Sequence, residues 1–242
     1  MSKPLRDHAA RDAHAEEHAS TGADWLNRLR ASVLGADDGI VSTAGLVIGV
    51  ASATGNRTAI LTAGLAGVAA GAMSMAAGEY VSVSSQRDTE HAALRQERRE
   101  LARNPEGEMA ELAQMYVDRG LSRPVAEQVA KELTAHDALR AHAEVELGIT
   151  PDDVVSPWNA AITSMLAFLV GSLLPLLAIL TPAPWRIPLT FVAVLFALAV
   201  TGAVSARLGG SPRGRAVLRL VVGGALAMIV TYGIGRLVGN AL

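Results

Sequence analysis

Cysteine is absent from these 242 residues. That excludes disulfides, thiolate metal sites and cysteine nucleophiles together. Any metal must then be held by oxygen, imidazole nitrogen or thioether sulfur. Charge and aromatics are scarce too: 18% of residues are charged, 4% are aromatic and half are hydrophobic, with a mean hydropathy of +0.31. A soluble domain of this length needs a polar surface that so few charges do not supply. The formal net charge of -2 leaves no bulk basic footprint, so nucleic acid is not expected as a partner. Lysine is nearly missing, Lys3 and Lys131 standing among 21 basic residues, which with abundant Ala and Gly points to a GC-rich bacterial genome. No Gly-x4-Gly-Lys-Ser/Thr loop exists, against an ATP-driven pump. No histidine falls in a long apolar run, against a serine–histidine protease inside the membrane. No enzyme is read here.

What is present is long apolar runs. Residues 1–24 are polar, carry His8, His14 and His18, and lack the basic-then-apolar order of a signal peptide. They read as a cytoplasmic tail. Five stretches follow, at about Val33–Ala53, Thr58–Gly78, Trp158–Leu180, Ile187–Ala206 and Leu218–Val238. Each approaches the ~20 residues that cross a bilayer as a helix. Thr54-Gly55-Asn56-Arg57, Thr181-Pro182-Ala183-Pro184 and Ser211-Pro212-Arg213-Gly214 supply the tight turns. The fold class expected is an all-α membrane protein of five transmembrane helices, with a small helical domain inserted between the second and third. The division is a tail at 1–24, a hairpin of spans at 25–86, the insert at 87–156 and three spans at 157–242.

Arginines set the orientation. Arg28, Arg30, the Arg-rich 87–140 segment, Arg207, Arg213, Arg215 and Arg219 collect on one side, against Arg57, Arg186 and Arg236 on the other. The N-terminus and the insert are therefore expected in the cytoplasm and the C-terminus outside. No turn signal interrupts Thr58 to Arg103, so span two is expected to run on as one helix of roughly 70 Å. Asn104-Pro105 stops it and starts another, Asn as the N-cap and Pro as the first helical residue. Ser122-Arg123-Pro124 opens a third helix, to about His136, and a last one near Asp137–Leu147 closes at Gly148.

The chemistry begins with a carboxylate at the wrong depth. Asp38 sits where the first apolar span begins, and a charge inside hydrocarbon costs roughly 2.5 to 3.5 kcal/mol, so it is usually paired, water-facing or functional. Met73, Met75 and Glu79 fall in the second span. Methionine in a membrane helix is mostly packing, but opposite an intramembrane aspartate its sulfur is a soft ligand that favours transition metals over Mg2+ or Ca2+. Glu79 lies near the boundary, where an interfacial anchor is the plain alternative. In the insert, Glu97 and Glu100, and Glu108 and Glu111, are i,i+3 pairs that share a helix face. If those two helices run antiparallel, the four carboxylates converge on one cation such as Mn2+ or Fe2+. Glu97 and Glu100 also interleave with Arg95, Arg98 and Arg99, and a solvated face is the commoner meaning of such a pattern. His142 and Glu146, at i,i+4, are a further ligand spacing beside an exposed-helix-end alternative. Gly45/Gly49 and Gly67/Gly71 are small-xxx-small pairs that permit close packing, within one chain or between two.

These residues match a known pattern. Asp37-Asp38-Gly39-Ile40-Val41-Ser42-Thr43-Ala44 resembles the first-span signature of the vacuolar iron transporter family, and Met73 to Val83 resembles its second-span signature. Glu97-Arg98-Arg99-Glu100-Leu101 and Glu146-Leu147-Gly148 resemble its metal-binding domain. The resemblance covers about residues 25–242. It implies a five-span homodimer in the bilayer, exporting Fe2+ and often Mn2+ from the cytoplasm as transported substrates in exchange for protons; the chain itself is read as a protein of the bacterial inner membrane that needs no cofactor. It implies a pore between protomers, with Asp38 and Met75 as pore ligands and Glu79 as the entrance carboxylate. Glu97, Glu100, Glu108, Glu111 and Glu146 become the cytoplasmic ligands. The chain departs from the pattern at His142 and Ala143, where some members carry methionines. The other reading is a membrane-anchored metal buffer or sensor that transports nothing, although a buffer has no need of Asp38.

Overall fold

The computed structural model describes residues 31–150 and 156–241, and among them every regular element is helical. The polar tail at 1–24 lies outside the described residues. Helix α1 is Ala31–Ala53. After a short turn, Asn56 accepts a hydrogen bond from the Ala59 amide (3.2 Å) and so caps α2, Arg57–Arg103. This helix is unbroken over 47 residues, as the missing turn signals require. Asn104 then accepts from the Gly107 amide at 3.1 Å and opens α3, Pro105–Asp118. Helix α4, Arg123–His142, breaks at Asp137 (φ -158, ψ 98), whose carboxylate caps the following turn by accepting from the Arg140 amide at 3.0 Å. A widened π turn, Ala143–Leu147, closes at Gly148, where φ is +64 and a side chain would be strained. Helices α5, Pro157–Ala178, α6, Arg186–Leu208, and α7, Arg213–Ala241, complete the chain.

The chain divides into two compact units. Among the described residues, one takes 31–81 and 157–241, the other 82–150 and 156. Among the described residues, five helices are long and apolar enough to cross a membrane: α1, α2, α5, α6 and α7. The first unit is built like a bilayer protein. Its core joins Ile40, Val47, Ile48, Ile60, Val194, Leu198 and Met228, yet Val170, Trp185, Phe196 and Leu237 are each at least 67% exposed. So many large apolar side chains on the outside of several helices suit a lipid solvent.

Small residues bring these helices into backbone contact. A Cβ on Gly39 would lie 2.2 Å from the Phe168 carbonyl oxygen, and one on Gly171 would lie 2.3 Å from that of Ala36. Along the same α1–α5 seam Thr43 donates to Ser172 (3.0 Å), which itself donates to the Phe168 carbonyl (2.8 Å). Close approach and interhelical hydroxyl bonds are how helices associate where apolar burial drives nothing. Gly45 and Gly49 pack on Thr231 of α7, Gly67 on Leu46 and Gly71 on Phe168, so both small-residue pairs serve packing within one chain. Gly39→Val should therefore destabilise this unit by roughly 1–3 kcal/mol or more through overpacking against backbone. Thermal unfolding in detergent checks it, with Gly78→Ala, which meets open space, as the variant that should melt like the wild type.

The second unit is small. Leu112, Ala113, Ala130 and Ala141 are buried at its centre, with Met109, Tyr116, Leu133 and Val145 packed around them. Alanine at the contact positions lets α3 and α4 approach closely, which fixes the acidic residues they carry.

Candidate metal-binding sites

In the helical unit, the last two turns of α2, the first turns of α3 and the end of α4 bring their polar groups to one place. Glu97 is 2% exposed and His142 is fully buried, an unusual depth for an acid and an imidazole. His142 Nδ1 lies 3.1 Å from Glu97 Oε1 and 3.3 Å from Glu146 Oε2. Glu97, Glu108 and His142 each offer a ligand atom, and these atoms lie within 4.8 Å of one another. The contact to Glu97 is close but poorly aligned: Glu97 Oε1 has no hydrogen-bond partner, and neither has His142 Nε2. Buried polar groups left this way cost about 1–3 kcal/mol each, so a site of this kind gains most when something arrives to satisfy it.

Glu100 accepts a hydrogen bond from Gln96 (3.1 Å), and Glu111 is exposed. Both act on the cluster through charge: Glu100 raises the pKa of Glu97 and Glu108, and Glu111 that of Glu108. The i,i+3 pairs are therefore split, one member of each turned toward the buried centre and the other toward its rim. Arg119, which the sequence reading passes over, donates to the Val145 carbonyl at 2.6 Å and ties the π turn to the end of α3. No sequence signal marks it, because the bond spans two helices.

Burial pushes the Glu97 carboxyl up to about 7, with Glu146 and then Glu108 and Glu100 adding repulsion and His142 opposing it. Glu108 is raised as well, by burial first and then by Glu111. A carboxylate binds metal only when ionised, so metal affinity should fall as pH drops through about 7. Stability follows the opposite sign. A raised folded pKa means the native state holds its proton more tightly than the unfolded chain. That contribution is complete below pH 4.5 and is lost as pH rises to about 7. The metal-free protein should thus melt lower at pH 8 than at pH 6, and Mn2+ should raise its melting temperature more at pH 8. Scanning fluorimetry checks both, and Glu97→Gln should flatten both trends.

The membrane-type unit holds a second site. Asp38, Ser42, Thr43 and Leu46 of α1, Gly67, Gly71, Ser74 and Met75 of α2, and Phe168 of α5 line a cavity of about 190 Å³. Asp38 and Met75, remote in sequence, thus share one pocket with three hydroxyls. A carboxylate, hydroxyls and a thioether form a mixed hard and soft donor set that suits a transition-metal cation. Gly67 and Gly71 keep the α2 wall open. Glu79, one turn beyond Met75, is not part of this lining.

Asp37 is the residue sequence reasoning undervalued. Neighbours on a helix point about 100° apart, so while Asp38 faces the pocket, Asp37 turns to α6 and accepts from Thr201 at 2.8 Å. Its signal was available, as a second acid inside an apolar span. Its partner Thr201 had none, being one of three hydroxyls, with Thr190 and Ser205, in a mostly apolar helix.

A family model described as the VIT family matches residues 29–236. A "Vacuolar iron transporter" of Acanthamoeba castellanii is 44% identical over 231 residues, covering 92% of this chain and 82% of that protein. A "Vacuolar iron transporter homolog 1" of Oryza sativa subsp. japonica is 38% identical over 219 residues, covering 90% of this chain and 75% of the relative. A "Vacuolar iron transporter homolog 2" of Arabidopsis thaliana is 36% identical over 228 residues, with 92% of each chain covered.

Proposed function

This chain belongs to the VIT family, and from that membership and the two donor sites we propose that it is a secondary transporter carrying Fe2+, Mn2+ or both out of the cytoplasm in exchange for protons. The observation that carries this reading is the pocket shared by Asp38 and Met75 within the apolar unit. A charged side chain among spans is retained where it serves an ion path or a proton relay. The helical unit, on this reading cytoplasmic, captures the ion on Glu97, Glu108, His142 and Glu146, with Glu100 and Glu111 drawing cations to its rim. Asp38 and Met75 then bind it inside the membrane, with Glu79 as the entrance group. Two copies form the working assembly in a bacterial inner membrane, each with its N-terminus inside and its C-terminus outside.

Carboxylates that alternate between metal and proton supply the coupling. Each releases its proton to bind metal and takes one up when metal leaves. In liposomes oriented with the cytoplasmic face outward, an acidic lumen should accelerate Mn2+ uptake, and the lumen should become more alkaline as metal enters. Uptake indifferent to the gradient, with no lumenal pH change, would make a passive channel the better description.

A further inference from the structure

The donor set of the helical unit is not all oxygen. One group among the carboxylates, His142, is fully buried, and its Nδ1 faces Glu97 and Glu146 at 3.1 and 3.3 Å. A hydrogen bond to Glu146 accounts for that contact when no metal is bound. It does not account for the depth at which the imidazole is held, nor for Glu97 Oε1, which is buried with no hydrogen-bond partner. Both features suit a cation that replaces the proton and takes Nδ1 and the carboxylate oxygens as ligands.

We propose that His142 is the specificity-determining ligand of this site, giving it a nitrogen donor that selects imidazole-preferring divalent ions, Co2+ and Zn2+ above Mn2+, and rejects Mg2+ and Ca2+. The proposal rests on the capture role given to the cluster above and adds which ions it prefers. Hard ions take oxygen ligands, six to eight for Ca2+ and a water-rich octahedron for Mg2+, so a site that commits one position to a buried nitrogen suits neither. Affinity for a given nitrogen and oxygen donor set rises along the series from Mn2+ through Fe2+ and Co2+ to Ni2+, with Zn2+ also above Mn2+, and imidazole is a ligand suited to Zn2+ and Fe2+. An all-carboxylate cluster would show less of that rise. The place of His142 in the fold agrees with a positioned ligand. It ends α4 directly before the π turn, and the break at Asp137 redirects the turn that carries it. Single π turns recur at functional sites.

The test uses the full chain in detergent, with Mn2+, Co2+, Zn2+ and Mg2+ as the probes. Pulsed electron paramagnetic resonance of bound Mn2+ should show the coupling of a directly coordinated nitrogen in the wild type and none in His142→Gln or His142→Ala. In calorimetry both variants should lose at least about tenfold in Zn2+ and Co2+ affinity, since even groups that only support a ligand are worth roughly 10–100-fold. Their loss for Mn2+ should be smaller, and Mg2+ binding should be weak in all three proteins. His142→Gln keeps a hydrogen-bonding side chain at the position, and circular dichroism confirms that each variant is folded. Metal bound in a Glu97-dependent way without nitrogen coupling, or equal losses for Zn2+ and Mn2+, would overturn the proposal and leave capture by carboxylates standing. Failure of the wild type to bind any of the four ions would instead overturn the capture role itself.

Discussion

Asp38→Ala protein should carry Mn2+ at no more than about one hundredth of the wild-type rate while melting no lower. Supporting groups around a metal are worth roughly 10–100-fold, so loss of a ligand should cost at least the upper end of that range. The stability side runs the other way. Placing a carboxylate among spans costs roughly 2.5 to 3.5 kcal/mol, and its removal relieves that cost. The Asp38 side chain faces a cavity rather than a packed neighbour, so its truncation leaves no new void in the core. Asp38→Asn, which keeps the shape and removes the charge, should fail as completely. Wild-type flux in either variant, reconstituted as folded protein, would sink the pore assignment.

The second large effect belongs to Glu97 with Glu108. Changing both to glutamine removes both carboxylates of the three-residue cluster they form with His142, without opening a cavity. Calorimetry on the full chain should show Mn2+ affinity at the helical unit reduced by about 100-fold, since two ligands go rather than one supporting group. The control is Glu127→Gln with Glu132→Gln. Glu127 pairs with Arg123 at 3.6 Å and both side chains are more than half exposed, a contact worth little in water. Glu132 accepts from Gln128 on the helix surface. Transport should fall only in part, because capture is lost while the membrane pocket remains. Equal effects of the two pairs on binding would return Glu97 to the solvated face.

Much of the fold is legible in the chain because its main signals are local. Each apolar run that reads as a span falls on a helix, the third running two residues past the end of α5, and the helix ends of the insert are legible because Asn104, Pro105 and Gly148 act on their own neighbours. The sites are less legible because they depend on contacts between helices. Spacing puts Glu97 and Glu100 on one side of α2, beside Arg95, Arg98 and Arg99, and spacing alone favours a solvated face. Only the approach of α3 and α4 buries Glu97 and leaves Glu100 at the rim. Likewise the pairing of Asp37 with Thr201, and of Arg119 with the Val145 carbonyl, crosses from one helix to another. His142 is identifiable as a candidate ligand by its spacing from Glu146, but its complete burial depends on a core that the sequence only outlines.

The most direct test of the account is whether metal crosses. Purified protein should be reconstituted into liposomes that hold a Mn2+-sensitive dye in the lumen, with Mn2+ added outside. The account predicts lumenal quenching that continues well past one ion per protein, that is absent from protein-free liposomes and that Asp38→Ala abolishes. Metal that binds the protein stoichiometrically and never reaches the lumen would contradict it and leave a membrane-anchored buffer in its place.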